Sequence, residues 1–252
     1  MFHNIIITGA SNGLGMALAR RYAEPGIMLG LIGRNADRLN ETVIHCRNKG
    51  AMVESVSIDI RDRLRLIEWI KNFDNLNPAD LVIANAGVMY STTTNKDVEQ
   101  QDIIDEIFDV NFKGVIDTIN PLIQSMSTRN GGSVAIISSL SAYKGMPTFP
   151  AYSASKAAVK TYYEAIRGLC LRKGIYVSIV CPSYVNTDMT KPLKIDKFML
   201  TDLSKAVDKI HYGIATGKPL ITFPWYHSLV IQILKLLPER IGDQMLLFFF
   251  KK

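Results

Sequence analysis

Tyr152 and Lys156 lie four residues apart, in a stretch whose apolar spacing predicts a helix over Ala151–Lys173. That separation is close to one helical turn, so a phenol and an ammonium share a face. A free tyrosine titrates near pH 10, whereas an acid/base catalyst works best close to the operating pH. Closing a gap of about three units takes roughly 4 kcal/mol. An ammonium about 4 Å away, at an effective dielectric near 20, supplies about that much. The pair is therefore expected to exchange protons with a bound substrate, Lys156 lowering the tyrosine's pKa. Tyrosines and lysines on helix surfaces are commonplace, so the chemistry depends on what else the chain brings to them.

A second chemical signal stands near the N-terminus. Thr8-Gly9-Ala10-Ser11-Asn12-Gly13-Leu14-Gly15 joins an apolar run to an amphipathic one. Gly9 permits a tight turn, Gly13 lets backbone approach a pyrophosphate, and Gly15 lets a helix pack against a sheet. The helix N-terminus then offers free N–H groups and its positive dipole end to phosphates. A glycine-rich turn alone would be unspecific; its place after a first strand favours a dinucleotide. An NAD site wants a carboxylate at the end of the second strand. Leu31-Ile32-Gly33-Arg34-Asn35 has none there, and Arg34 offers planar donors suited to a phosphate, with Asn35 and Arg38 nearby. The expected cofactor is NADP(H).

The elements that must position these groups follow from periodicity. Asn4–Thr8, Ile27–Ile32, Met52–Ile58, Leu81–Asn85, Ser133–Ser138, Tyr176–Cys181 and Pro219–Phe223 are short apolar runs, as expected of strands covered on both faces. Helical patterns fill the gaps over Leu14–Ala23, Ala36–Lys49, Asp62–Lys71, Asp97–Met126, Ala151–Lys173 and Asp202–Ala215. The alternation predicts an α/β doubly wound parallel sheet, a Rossmann fold of about seven strands with helices on both faces. Residues 1–252 are expected to form one nucleotide-binding domain, with 188–218 covering the substrate and 219–252 forming an apolar helical appendage.

The glycine spacing G-x-x-x-G-x-G resembles that of the short-chain dehydrogenase/reductase family. Asn85-Ala86-Gly87, Asn111, the Ser138-Ser139 pair and Tyr152-Ser153-Ala154-Ser155-Lys156 occur in the family's order, so the resemblance covers about residues 4–190. It implies that Ser139, with Ser141 as second candidate, steadies the substrate oxygen, and that Tyr152 is the acid/base. It implies that Lys156 contacts the nicotinamide ribose and that Asn111 holds a water in a proton relay. It further implies cofactor contacts at Gly9, Ser11, Asn12, Gly13, Leu14, Gly15, Arg34, Asp59, Ile60, Asn85, Ala86, Gly87, Tyr152, Lys156, Pro182, Val185 and Thr187. Asp59 resembles the residue that meets the adenine amino group, and would equally serve as a helix N-cap. Pro182-Ser183 stands where the family usually has Pro-Gly, and Asn12 where some NADP-using relatives carry a base. The helices 97–126 and 151–173 resemble those of the family's dimer interface, implying a homodimer or homotetramer.

Composition narrows the partners. Of 252 residues 48% are hydrophobic and 21% charged, which is globular rather than disordered. Cys46, Cys170 and Cys181 form no CxxC or metal-ligand spacing, so no metal site and a reduced, cytoplasmic setting are expected. Twenty-nine Lys+Arg less 23 Asp+Glu leave +6, without a basic run to suggest nucleic acid. Tyr143, Met146, Phe149, Met189, Leu193 and Phe198 are candidates for an apolar substrate pocket. In the tail, Ser228, Gln232 and Lys235 would form a narrow polar stripe on an otherwise apolar helix, and the chain ends Phe248-Phe249-Phe250-Lys251-Lys252. From Pro219 onward four bases less two acids leave +2. That pattern suits the inner surface of a membrane and a subunit contact or helix pair over the site equally well. The expected activity is hydride transfer between NADP(H) and a lipophilic carbonyl or alcohol. A non-catalytic NADP-binding regulator or scaffold and a sugar-nucleotide epimerase or dehydratase are the alternatives.

Overall fold

The computed structural model describes residues 2–91, 99–193 and 195–250. Its strands are β1 (Asn4–Thr8), β2 (Met28–Gly33), β3 (Met52–Ser57), β4 (Leu81–Ala84), β5 (Gly132–Ile137), β6 (Ile175–Pro182) and β7 (Leu220–Phe223). They form one parallel sheet in the order β3-β2-β1-β4-β5-β6-β7. In β1 the side chains alternate between two cores: Ile5 and Ile7 join one apolar cluster, Ile6 the other, all fully buried. Alternation of period two with both faces covered explains why the strand reads as unbroken isoleucine.

The helices α1 (Gly13–Tyr22), α2 (Ala36–Asn48) and α7 (Leu203–Ala215) cover the first face, through Leu18, Leu39, Val43 and Ile210. On the other face lie α3 (Arg63–Leu76), α4 (Gln101–Phe108), α5 (Gly114–Thr128) and α6 (Pro150–Leu171), through Leu66, Phe73, Ile119 and Tyr163. The chain leaves β1 toward β2 and β3, then returns to the opposite side of β1 at β4. That reversal opens a crevice beyond the carboxyl ends of β1 and β4, where α/β sheets bind ligands. Because α7 packs in the helical layer, it is residues 188–193 and 195–202 of the expected covering segment 188–218 that remain outside the sandwich.

Two regions depart from the periodicity. The helix expected over 97–126 is divided: Asp97 lies outside the described residues, and α4 and α5 are separated by a π-helical turn, Asp109–Lys113. The tail forms two helices, α8 (Trp225–Leu236) and α9 (Glu239–Phe250), broken at Leu237-Pro238 because proline lacks an N–H and forces its predecessor out of helix. Ser228 is buried instead of lying on an outer polar stripe with Gln232 and Lys235, its hydroxyl turned to the Pro224 carbonyl. No described helix is long and apolar enough to cross a membrane.

Candidate active site

The glycine loop is built by close approach. Gly9 has φ +68, and a Cβ on it would fall 2.7 Å from Asn85 Nδ2 and 2.9 Å from Ala86 Cα. A Cβ on Gly15 would fall 2.3 Å from Gly9 O and from Asn85 Nδ2. No other residue fits either place. Asn85 is the clasp: its amide donates to Thr8 O at 3.0 Å and Gly9 O at 3.3 Å. Asn12 caps α1, its Oδ1 accepting from Gly13 N at 2.7 Å. Its Nδ2 reaches Asp188 across the crevice at 2.9 Å, and a Cβ on Gly13 would lie 3.5 Å from Thr187. Ser11 packs beside Gly33 at the end of β2. Leu14 and Val185 turn into the first core, and Pro182 ends β6. Ile60 packs under Gly114, so its side chain is spent on the core.

At the end of β2 the groups are exposed and their pairing is loose. Arg34 Nη1 is 3.9 Å from both Asp59 and Glu106, with a 62% exposed side chain. Arg61 takes Asp59 in short hydrogen bonds, Nη2 to Oδ2 at 2.7 Å, and this holds the Asp59 carboxyl below the usual carboxylate range. The N-cap expected of Asp59 is supplied instead by Asp62, while Asp59 accepts from the Arg61 N–H two residues on. Asn35 caps α2, and Arg38 approaches Asp188 at 3.7 Å.

Deeper in the crevice Lys156, Asn111 and Ser155 are buried, and Tyr152 and Ser139 are partly buried. Tyr152 lies in the first turn of α6, whose N-terminus Glu99 caps by accepting from Ala151 N at 2.7 Å. Ser139 hydrogen-bonds the Tyr152 phenol, while Ser138 donates to the Lys156 carbonyl at 2.9 Å and so faces the helix. Lys156 is 3% exposed; its Nζ donates to Ile137 O at 2.9 Å and stands 5.7 Å from the Tyr152 ring centre. Asn111, fully buried in the π-turn, donates to Val88 O at 2.9 Å and to Ser155 Oγ at 3.1 Å, and accepts from Val88 N at 2.8 Å. Ser155 in turn donates to Tyr152 O at 2.8 Å. Gly87 sits between Asn111 Oδ1 and Lys156 Nζ, at 3.2 and 3.3 Å from the place of a Cβ.

The protonation states correct the expectation drawn from the pair alone. Burial pushes Tyr152 up to about 12 against the hydrogen bond from Ser139, and burial pulls Lys156 down to about 8. Desolvation is the largest influence on both groups, and the ammonium gives its hydrogen bond to the Ile137 carbonyl. The tyrosine therefore holds its proton at neutral pH, in the form that donates.

Several site residues carry no local sequence signal. Tyr184 stands close enough to Tyr152 to raise its pKa further, and is itself pushed up by burial. Ser183 Oγ meets His227 Nδ1 of α8 at 2.7 Å. Ser155 lies inside the Tyr152–Lys156 motif, which was the available clue to it. Of the expected pocket residues, Tyr143 turns inward to the Cys181 thiol, Phe149 is buried and Phe198 is exposed. Ser141 Oγ is buried and makes no hydrogen bond among the described residues.

This architecture has known counterparts. A model of short chain dehydrogenases matches residues 3–197. The chain is 30% identical over 243 residues to an uncharacterized oxidoreductase of Myxococcus xanthus, covering 96% of this chain and 95% of that one. It is 27% identical over 242 residues to human 17-beta-hydroxysteroid dehydrogenase 13, covering 94% and 79%. The structure of a short-chain dehydrogenase from Sphingobium yanoikuyae in complex with NADPH superposes with TM-score 0.81 at 21% identity, covering 96% and 95%. The chain belongs to the short-chain dehydrogenase family of oxidoreductases.

Proposed function

We propose that this short-chain dehydrogenase transfers hydride between NADP(H) and a lipophilic carbonyl or alcohol, acting on CH–OH groups with Tyr152 as acid/base. The observation that carries the reading is the cluster in which the Ser139 hydroxyl meets the Tyr152 phenol one helical turn from buried Lys156. The residues fit a dinucleotide: Gly9 and Gly13 adopt positive φ, and Gly15 leaves no room for a side chain. The β2 end carries no carboxylate, and Arg34 makes no side-chain hydrogen bond among the described residues because Arg61 occupies Asp59. Arg34 and Arg38 thus keep donors for a ribose phosphate. The relative named for 17-beta-hydroxysteroid chemistry supports an apolar alcohol or ketone.

When bound, the nicotinamide supplies or accepts the hydride. Ser139 steadies the substrate oxygen, and Tyr152 passes its proton to that oxygen as negative charge develops. Lys156 compensates the phenolate left behind, and refills it through a relay past Gly87 and Asn111. Residues 188–202 cover the substrate, held near the glycine loop by Asp188. The same faces of α4–α5 and α6 that the family uses would pair copies of the chain. Three free, buried cysteines accord with a cytoplasmic protein. The test is a panel of steroid, retinoid and acyl-chain carbonyls with NADPH and NADH. NADPH-selective oxidation by an apolar carbonyl is expected; cofactor binding without turnover on any carbonyl would overturn the reading.

A further inference from the structure

We infer that the α8–α9 hairpin is a docking surface for an anionic lipid bilayer. Its inner side is already satisfied. Ile231 packs on the second core, Leu234 and Leu246 are buried, and a Cβ on Gly242 would lie 3.4 Å from Leu234 O. The outer side stays apolar: Trp225 is 71% and Leu236 85% exposed, with Leu229, Ile233, Ile241 and Met245 also open to solvent. The positions 225, 229, 233 and 236 make one stripe along α8, and 241 and 245 lie one turn apart on α9. A contiguous exposed patch of this kind marks an interaction surface.

Charge identifies the occupant. The hairpin's two acids, Glu239 and Asp243, both pair with Lys144 on the body of the protein, Asp243 at 3.2 Å. Lys144, a single charge, answers one of the two from inside. Arg240 forms no ion pair among the described residues, and Lys235 lies 5.7 Å from the Tyr143 ring centre without a carboxylate. With Lys144 counted, Lys235 and Arg240 outweigh the remaining acid by one positive charge beside the apolar side chains, and Lys251 and Lys252 follow in the sequence. A second copy would bring the same cations, and each chain carries +6. Anionic headgroups supply the missing sign, and acyl chains take the apolar stripe. Each helix has 12 residues, about 18 Å, which suits lying in the interface. The His227–Ser183 contact ties α8 to the end of β6, so docking would orient the crevice toward the lipid.

The experiment floats the full chain with phosphatidylcholine vesicles, with and without phosphatidylglycerol. Flotation is expected with the anionic vesicles and should weaken as salt rises. Trp225→Ser combined with Leu236→Ser should lower the bound fraction about tenfold or more, with NADPH binding and the unfolding midpoint unchanged. A full chain that never floats, or flotation indifferent to that double substitution, would overturn the inference. So would a wild-type dimer that the same substitution dissociates, because the face would then belong to a second copy.

Discussion

The crevice has a dry end and a wet end, and different terms govern them. At the dry end Lys156 and Asn111 are buried and held by hydrogen bonds of 2.8 to 3.1 Å, and Tyr152 and Ser139, hydrogen-bonded to each other, are partly buried. There burial sets the protonation state, overriding the attraction between a phenolate and an ammonium. At the wet end Arg34, Arg38, Asp59, Arg61 and Asp188 pair over up to 3.9 Å and stay largely hydrated. Such pairs are screened and individually weak, so they can change partners when a ligand arrives. The contrast suits a division between chemistry, which needs fixed geometry, and cofactor choice, which needs available donors.

The largest effect should come from Lys156→Met, with kcat reduced about a thousandfold. It also has a signature in stability. Between about pH 8 and 10.5 the unfolded chain keeps the Lys156 proton that the folded chain has released, so stability rises with pH there. Tyr152 acts with opposite sign between about pH 10 and 12, where the folded chain keeps the proton longer. Subtracting the Lys156→Met urea-unfolding curve from wild type should isolate the rise below pH 10. A flat difference would mean that the lysine is hydrated and the dry end is not dry.

Asn111→Leu should come next, at about 2 kcal/mol of stability, because it leaves the Val88 N–H and carbonyl without their partner. Urea denaturation measures it, and an effect below about 0.5 kcal/mol would mean water replaces the amide. The smallest structural effect belongs to the wet end. Arg34→Ala should change the unfolding free energy by less than about 0.5 kcal/mol and weaken NADPH binding about tenfold, with NADH unaffected. Equal losses for both nucleotides would remove the basis for phosphate recognition.

The same contrast separates what could be read from the chain alone. The inner strands are legible as nearly continuous apolar runs, since a parallel strand buried on both faces needs no polar alternation, whereas edge strand β3 (Met52–Ser57) carries Glu54, Ser55 and Ser57 and is partly exposed. Tyr152, Lys156 and the glycine loop are legible because the spacing within each motif is local, a helical turn in one and a strand-to-helix turn in the other. The remaining contacts join distant segments. Glu99 caps α6 from 52 positions upstream, Asn111 meets Ser155 across 44, and Lys144 reaches Glu239 across 95. Nothing in local spacing marks such pairs. The π-turn at Asn111 was hidden for a related reason, since a side chain drawn into a tertiary network re-sets the local helix without changing its apolar pattern. The desolvation that raises Tyr152 is not legible in the spacing of the pair, because it depends on what the rest of the fold packs around the phenol.

The most direct test is a single-turnover measurement of NADPH oxidation by a carbonyl substrate, comparing wild type with Tyr152→Phe. The account predicts an unchanged NADPH dissociation constant and a rate at least about a thousandfold lower in the variant. A variant that binds NADPH normally and oxidises it at near wild-type rate would contradict it.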